Sequence, residues 1–410
     1  MTLFSCLSII LLVLLTTTVA AHRPVATYVI NLDLQPSERY TELISNTSNG
    51  FNTTVWAFYN KYFANDKILT DVLYSISKKR GSEPTEMQAE IQAYSDLSRL
   101  PLQFVQSIQM LYELQTLMVP IVNFTKYPNE QKWKTRSFPK GLEALSRIPW
   151  RGPGCTGIIA MNHQDNSVYH ARNLDFAPVP FMKNLVYNAV FTKAGKEVFR
   201  SQMIAGYTQV ITGGVFSGSD GWAIERNTRY ADHSGGNAEM IHNLYSGSTK
   251  RPLTGWTLRK ALENIPTYDA AVAHLSTAPY VATEYTIISG IKKGTILSRN
   301  PDGLAYKQTL GDKNFDERDD YIIVTNFDFF WHDVREWFDP TGGEGLGKGL
   351  SRRKAAQKIL NSTTFGDIGP DVLFQTLNHK DVLADTVFQA IINVEKGIWN
   401  ISQPNLSGRQ

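Results

Sequence analysis

In Gly154-Cys155-Thr156-Gly157-Ile158-Ile159-Ala160, apolar residues alternate with small or polar ones, the pattern of a half-buried strand. His163-Gln164-Asp165-Asn166-Ser167 then supplies turn chemistry, and Val168-Tyr169-His170-Ala171-Arg172-Asn173 reads as the returning strand of a hairpin, leading into Leu174-Asp175-Phe176. Antiparallel counting from a turn centred near Gln164 or Asp165 places Cys155 opposite Leu174 or Asp175. A thiol, a guanidinium (Arg172) and a carboxylate (Asp175) therefore converge at one end of one hairpin. That setting suits a nucleophile, because the thiolate is the reactive form and nearby cations or a positioned base lower its pKa. The plainer alternative is a buried free cysteine beside an ordinary Arg/Asp pair, since free cysteine is among the most buried residue types.

The rest of the chain bounds these readings. At 410 residues it can bury a large core and could form two or three domains, and its 42% hydrophobic and 19% charged composition is globular. A net charge of +3 with no dense Lys/Arg tract argues against nucleic acid as a partner. Leu3 to Val19 is an apolar run ending in small residues, which reads as a signal peptide over residues 1–21, although no Lys or Arg precedes it. Cys6 would leave with that segment, so the mature chain would hold one cysteine and no internal disulfide. Asn-x-Ser/Thr sequons begin at Asn46, Asn52, Asn123, Asn361, Asn400 and Asn405, and behind a leader they indicate a glycosylated lumenal protein.

Ala26 to Leu34 reads as a strand, and Pro36-Ser37-Glu38-Arg39-Tyr40 as a helix entry. Ser82 to Leu117 has helical periodicity, with Met87, Ile91, Tyr94 and Leu97 on one face and Phe104, Val105, Ile108, Leu111 and Tyr112 on another, broken at Pro101. Such stripes are core, or for exposed members a lipid-docking surface. Lys126 to Lys140 reads as a linker. Strand patterns follow at Leu185–Thr192, Lys196–Gln202, Tyr207–Phe216, Trp222–Asn227, Thr283–Gly290, Thr295–Asn300, Tyr321–Asn326, Thr386–Val394 and Gly397–Ile401. Helical patterns fall at Trp256–Asn264, Tyr268–Leu275, Arg352–Leu360 and Val372–Leu377. Strand runs interleaved with helix pairs predict a layered α+β domain. No His-Glu-x-x-His or zinc-spaced Cys/His pair occurs, so neither a metal nor a cofactor is expected. Gly342 to Gly349 approaches a phosphate loop but carries Gly349 where Ser or Thr must bind the metal, and reads as a loop.

The run Cys-Thr-x-Ile-x-Ala, a short hairpin, then His-x-Arg-Asn-Leu-Asp-Phe resembles the start of the catalytic subunit in the acid ceramidase and N-acylethanolamine acid amidase family of N-terminal-nucleophile cysteine hydrolases. The resemblance implies a four-layer αββα sandwich, preceded by a mostly helical small subunit. It implies self-cleavage at Gly154–Cys155, giving residues 22–154 and 155–410 as an alpha/beta heterodimer from one precursor. The new α-amine would then serve as general base beside its own thiol. By the same resemblance Cys155 is the nucleophile, Asp175 orients its amine, and Arg172 lies beside the sulfur. Asn326, in Val324-Thr325-Asn326-Phe327-Asp328, contributes to the oxyanion hole, and Glu225, in Ile224-Glu225-Arg226, supports the site. Arg352-Arg353 matches the end of an Asp-Asp-Arg-Arg element whose acids are replaced here by Leu350-Ser351. The hairpin turn is one residue longer than in close relatives, an insertion that a bulge could absorb.

The implied function is a lysosomal, or else secreted, acid amidase that cleaves a fatty-acyl amide lipid through a Cys155 thioester, with contact to the lysosomal membrane or a lipid activator. The short connection from Phe176 to Asn184 and the absence of a second mature cysteine favour N-acylethanolamines as substrate over ceramide. The alternatives are an acid ceramidase and a non-catalytic secreted lipid-binding glycoprotein.

Overall fold

A computed structural model describes residues 23–79, 83–114, 154–176, 178–230, 244, 251–312, 318–330 and 352–404. The leader, the Lys126–Lys140 linker, Asn123, Asn405, the Gly342–Gly349 loop and Leu350-Ser351 lie outside these residues.

Two sheets face each other. The first has β1 (Arg23–Pro24), β3 (Gly154–Asn162), β4 (Ser167–Asp175), β12 (Tyr321–Val324), β13 (Thr386–Asn393) and β14 (Ile398–Gln403), in the order β1-β14-β13-β4-β3-β12. The second has β2 (Thr27–Asn31), β5 (Val186–Lys193), β6 (Lys196–Ile204), β7 (Tyr207–Val215), β8 (Trp222–Thr228), β9 (Glu284–Gly290), β10 (Lys293–Asn300) and β11 (Gly303–Thr309), in the order β11-β10-β9-β8-β7-β6-β5-β2. All pairings are antiparallel except β2 with β5. Strands β3 and β4 pack across onto β8 and β9, so residues of both sheets meet in one middle layer.

Helices close the outer faces. Thr254–Asn264 and Tyr268–Thr277 lie on the second sheet, and Arg352–Ser362 and Pro370–Asn378 on the first. This is the αββα sandwich the resemblance implies, and it covers both faces of the inner strands. That explains strands buried along their whole length, such as β7 and β9, in place of clean alternation.

The N-terminal part carries α1 (Thr41–Ser45), α2 (Phe51–Tyr62), α3 (Lys67–Lys79), α4 (Thr85–Ser98), α5 (Leu102–Ile108) and α6 (Leu111–Leu114). It also lends an edge strand to each sheet, β1 against β14 and β2 against β5. Helices α2 and α3 are absent from the sequence reading, and Pro36 to Tyr40 forms turns before α1 rather than a helix. On α4, Met87, Ile91 and Tyr94 are buried as expected, but Leu97 is 37% exposed and Ser98 continues the stripe at 2%. One turn of α-helix is 3.6 residues, so from Tyr94 the stripe passes to position 98 and not 97.

Beyond the hairpin, the connection after Phe176 holds α7 (Val179–Leu185), with Pro178 at its N-cap and Pro180 in its first turn, so the strand expected from Leu185 starts at Val186. Strand β11, from Gly303, is also absent from the sequence reading.

Candidate active site

Hairpin β3–β4 pairs without a register break from Asn162↔Ser167 to Gly154↔Asp175, which sets Cys155 opposite Leu174. The turn, His163 to Asn166, closes with Asn166 in the left-handed region (φ 57°), and the ladder runs on without a bulge. Asn162 and Asp165 close it by accepting hydrogen bonds from the backbone N–H groups of Gln164 (2.8 Å) and Ser167 (3.0 Å). Local turn chemistry thus fixes where the two catalytic candidates on β4 stand relative to the thiol.

Cys155 has no solvent exposure. Arg172 Nη2 lies 3.6 Å from its Sγ, and Tyr112 Oη lies 3.6 Å away on another side. Burial pushes the thiol pKa up; Arg172 and Tyr112 pull it down, and Asp175 and Glu225 oppose them. Arg172 is anchored by donating to Ile211 O (2.8 Å) and Arg226 O (2.9 Å), and to the Thr212 hydroxyl.

The main chain of Cys155 is held as firmly as its side chain. Asn326 Oδ1 accepts from Cys155 N at 3.0 Å, and Arg352 Nη1 donates to Cys155 O at 2.8 Å. Arg352 also donates to Asn326 Oδ1 (2.6 Å) and Asp175 Oδ2 (3.1 Å), and Thr386 Oγ1 donates to Asp175 Oδ1. Asn326 follows the end of β12, where the buried Arg229–Asp328 ion pair ties down the turn, and its Nδ2 donates to Thr228 O at 2.8 Å. Its amide oxygen therefore faces the cysteine nitrogen, while one N–H of its amide nitrogen is held by Thr228 O.

Gly154 lets these groups close on the junction. A Cβ there would stand 2.9 Å from Asp175 Oδ2 and 3.0 Å from Arg352 Nη1. Gly157, three residues on and so on the other face of the strand, makes room for Glu225: a Cβ there would fall 2.1 Å from its Oε1. Glu225 points into the middle layer, 3.9 Å from Arg172 Nε and 3.1 Å from His170 Nε2, and His170 Nδ1 meets Ser289 Oγ at 3.0 Å. It stands behind Arg172, as a positioning group would.

All five candidates from the sequence, Cys155, Arg172, Asp175, Asn326 and Glu225, are thus brought into one cluster. Arg352 and His170, quoted in the sequence only as members of motifs and given no role there, join it, and Thr386 and Tyr112 join it unannounced. Tyr112 reads in the sequence as one more apolar helix position, and nothing local marks it. A cavity of about 40 Å³ runs beside it, lined among others by Leu111, Tyr112, Phe176, Ile204 and Ile211. Among the described residues no group of three or more His, Cys, Asp or Glu side chains could hold a metal ion.

Next to the cluster, Glu113 and Glu284 both face the Arg226 guanidinium, and all three side chains are buried. Burial pushes Glu284 up to about 8 against the pull of Arg226, with Glu113 adding to the rise. Two carboxylates on one guanidinium leave an excess negative charge, which a proton on Glu284 removes. A carboxyl raised from 4.5 to about 8 binds its proton more tightly folded than unfolded. Its contribution to stability is therefore complete below 4.5 and is lost as pH rises through 8. The melting temperature should fall between about pH 5 and about pH 9, and Glu284→Gln should flatten the fall. Equal slopes in wild type and variant would show that the pH dependence arises elsewhere.

No family model matches the chain. It is 28% identical over 78% of its length to the N-acylethanolamine-hydrolyzing acid amidase of Caenorhabditis elegans, of which 80% is covered. It is 24% identical over 91% of its length to the acid ceramidase of Mus musculus, of which 85% is covered. A solved structure of the Caenorhabditis elegans amidase ortholog aligns at 26% identity with a TM-score of 0.48, over 59% of this chain and 93% of that one.

Proposed function

We propose that this chain, which belongs to the family of acid amidases and acid ceramidases, hydrolyses N-acylethanolamines in an acidic lumen through Cys155, freed as an N-terminus by self-cleavage at Gly154–Cys155. It is a hydrolase of linear amides. The observation that carries the finer reading is the grip on the cysteine's backbone. A merely buried thiol needs no Asn326 on its nitrogen and no Arg352 on its carbonyl, whereas an N-terminal nucleophile needs both its sulfur and its nitrogen held.

The cut follows from the same atoms. Sγ attacks the Gly154 carbonyl carbon, the Cys155 nitrogen leaves with a proton, and water hydrolyses the resulting thioester. Severing that bond turns Cys155 N into an amine for which Asn326 Oδ1 is already placed as acceptor, with the Asp175 carboxylate near by. The amine then takes the thiol proton, and the thiolate attacks the acyl carbonyl of the substrate. Arg172 stabilises the developing charge, the amine returns its proton to the departing ethanolamine, and a second attack by water releases the fatty acid.

Several features support the wider reading. Apolar side chains of both halves line the cavity beside Tyr112, in keeping with an acyl chain. At about 40 Å³ and with Sγ buried, the uncut chain must open before a substrate fits. The halves on either side of the junction, 22–154 and 155–410, share buried ion pairs: Glu90 with Arg259 (2.5 and 2.7 Å) and Glu113 with Arg226 (2.9 Å). These contacts and the edge strands β1 and β2 would keep an alpha/beta heterodimer together after the cut. The compact α7 connection and the lone mature cysteine favour ethanolamides over ceramide. For passage to the lysosome through the secretory route, the sequons at Asn361 and Asn400 are exposed. Ile68, 56% exposed on α3, and Leu97 on α4 would meet a lipid surface, although no helix among the described residues is long and apolar enough to cross a membrane.

The test is to incubate the purified protein at acid pH, sequence the amino terminus of the large fragment, and assay fatty-acid release. The expected result is a fragment beginning at Cys155 that hydrolyses an N-acylethanolamine at least about tenfold faster than ceramide, which corresponds to about 1.4 kcal/mol in the barrier. Faster release from ceramide would move the chain to the ceramidase reading, and a fragment starting elsewhere would remove the mechanism.

A further inference from the structure

We propose that Tyr112, carried by the N-terminal half, is a catalytic residue of the Cys155 centre: its hydroxyl hydrogen-bonds the sulfur as the thiol becomes a thiolate. The inference rests on the reading of Cys155 as nucleophile and goes beyond it, because it makes the N-terminal half part of the chemistry.

Tyr112 reaches the site from α6, 43 residues before the cysteine, and its Oη stands 3.6 Å from Sγ. In the uncut chain that hydroxyl donates to Arg226 O at 2.8 Å. The same carbonyl also accepts from Arg172 Nη2 at 2.9 Å, so it keeps a donor when the phenol turns to the sulfur. The thiolate would then accept two hydrogen bonds, from Arg172 on one side and Tyr112 on the other. Burial holds the phenol well above its ordinary pKa, so it stays protonated and remains a neutral donor wherever the enzyme works.

The ring is fixed for this task. The Arg226 guanidinium lies 4.2 Å from its centroid, and Phe176 stacks on it with centroids 6.4 Å apart and planes at 22°. Its other edge lines the apolar cavity, so the same side chain touches the sulfur and the space assigned to the acyl chain. A tyrosine retained only for packing would satisfy its hydroxyl on Arg226 O and leave thiol reactivity untouched.

Tyr112→Phe separates the two roles, since it keeps the ring and the stack and removes only the hydroxyl, one hydrogen-bond donor. The expected results are an unchanged melting temperature, an unchanged KM, and a fall in kcat of about ten- to a hundredfold, as for loss of a hydrogen bond to a charged group. The pH at which half of Cys155 is alkylated by iodoacetamide should rise by about 1 to 2. Self-cleavage, which uses the same thiolate, should slow in parallel, so a variant that stays uncut with unchanged melting also supports the proposal. Wild-type kcat and a wild-type alkylation profile would overturn it while leaving Cys155 in place. Residual hydrolysis by Cys155→Ala at the wild-type rate would instead remove the reading on which it rests.

Discussion

Cys155→Ala should yield one uncut polypeptide after acid incubation and no measurable amide hydrolysis, a loss on the order of 10⁶-fold when a nucleophile that cannot be bypassed is removed. The sulfur is the only atom of the side chain that can attack the Gly154 carbonyl, and Asn326 and Arg352 hold backbone atoms that alanine retains. The variant should therefore fold. Deleting one buried sulfur costs about 1 kcal/mol, the centre of the range for single substitutions, so melting should shift by only a few degrees. Cys155→Ser refines the test. A hydroxyl in the same place has a far higher pKa than a thiol, so cutting should be slowed by several orders of magnitude but should still occur at the same bond. Wild-type cutting in the alanine variant, read on a denaturing gel and by mass, would place the nucleophile elsewhere.

Part of this site was legible because a hairpin is local. Once the turn is recognised, pairing arithmetic carries a residue on β3 to its partner on β4, and a ladder without a bulge preserves the count over nine pairs. That is why Cys155, Arg172 and Asp175 could be placed together from the residues alone. Asn326 and Glu225 lie 171 and 70 residues further on, and only the motif resemblance brought them in. Most strands were legible because each carries its own pattern, which gave a layered α+β domain; the arrangement in two facing sheets came only with the resemblance.

The missed groups share a physical cause. Tyr112 sits in an apolar helical stripe and would be buried in either role, so periodicity cannot separate a packing tyrosine from one that touches a nucleophile. His170 meets Glu225 and Ser289 only because two sheets pack face to face, and nothing in its strand records which residues will oppose it. Helix α7 was hidden by its own composition: Val179-Pro180-Phe181-Met182 with a proline in the first turn looks like irregular chain, yet proline is tolerated at that position.

Arg352→Met should be the most damaging substitution that leaves the nucleophile in place. The guanidinium, 1% exposed, bridges three groups: Cys155 O at 2.8 Å, Asp175 Oδ2 at 3.1 Å and Asn326 Oδ1 at 2.6 Å. Methionine fills much of the volume, but Asp175 loses a buried cation, and breaking one partner of a buried ion pair costs about 3 to 5 kcal/mol. The melting temperature should fall by about 6 to 20 °C, at about 2 to 4 °C per kcal/mol for a domain of this size class. Maturation should fail as well, because the Cys155 carbonyl and the Asn326 amide lose the fork that sets their angle to the scissile bond. Arg352→Lys tells the two effects apart. A single ammonium can restore a charge beside Asp175 but cannot present parallel N–H groups to all three acceptors. Lysine should therefore recover most of the melting temperature and little of the cutting rate. If the lysine variant cut as fast as wild type, Arg352 would be acting through charge alone; if the methionine variant did so, the residue would have no part in the site.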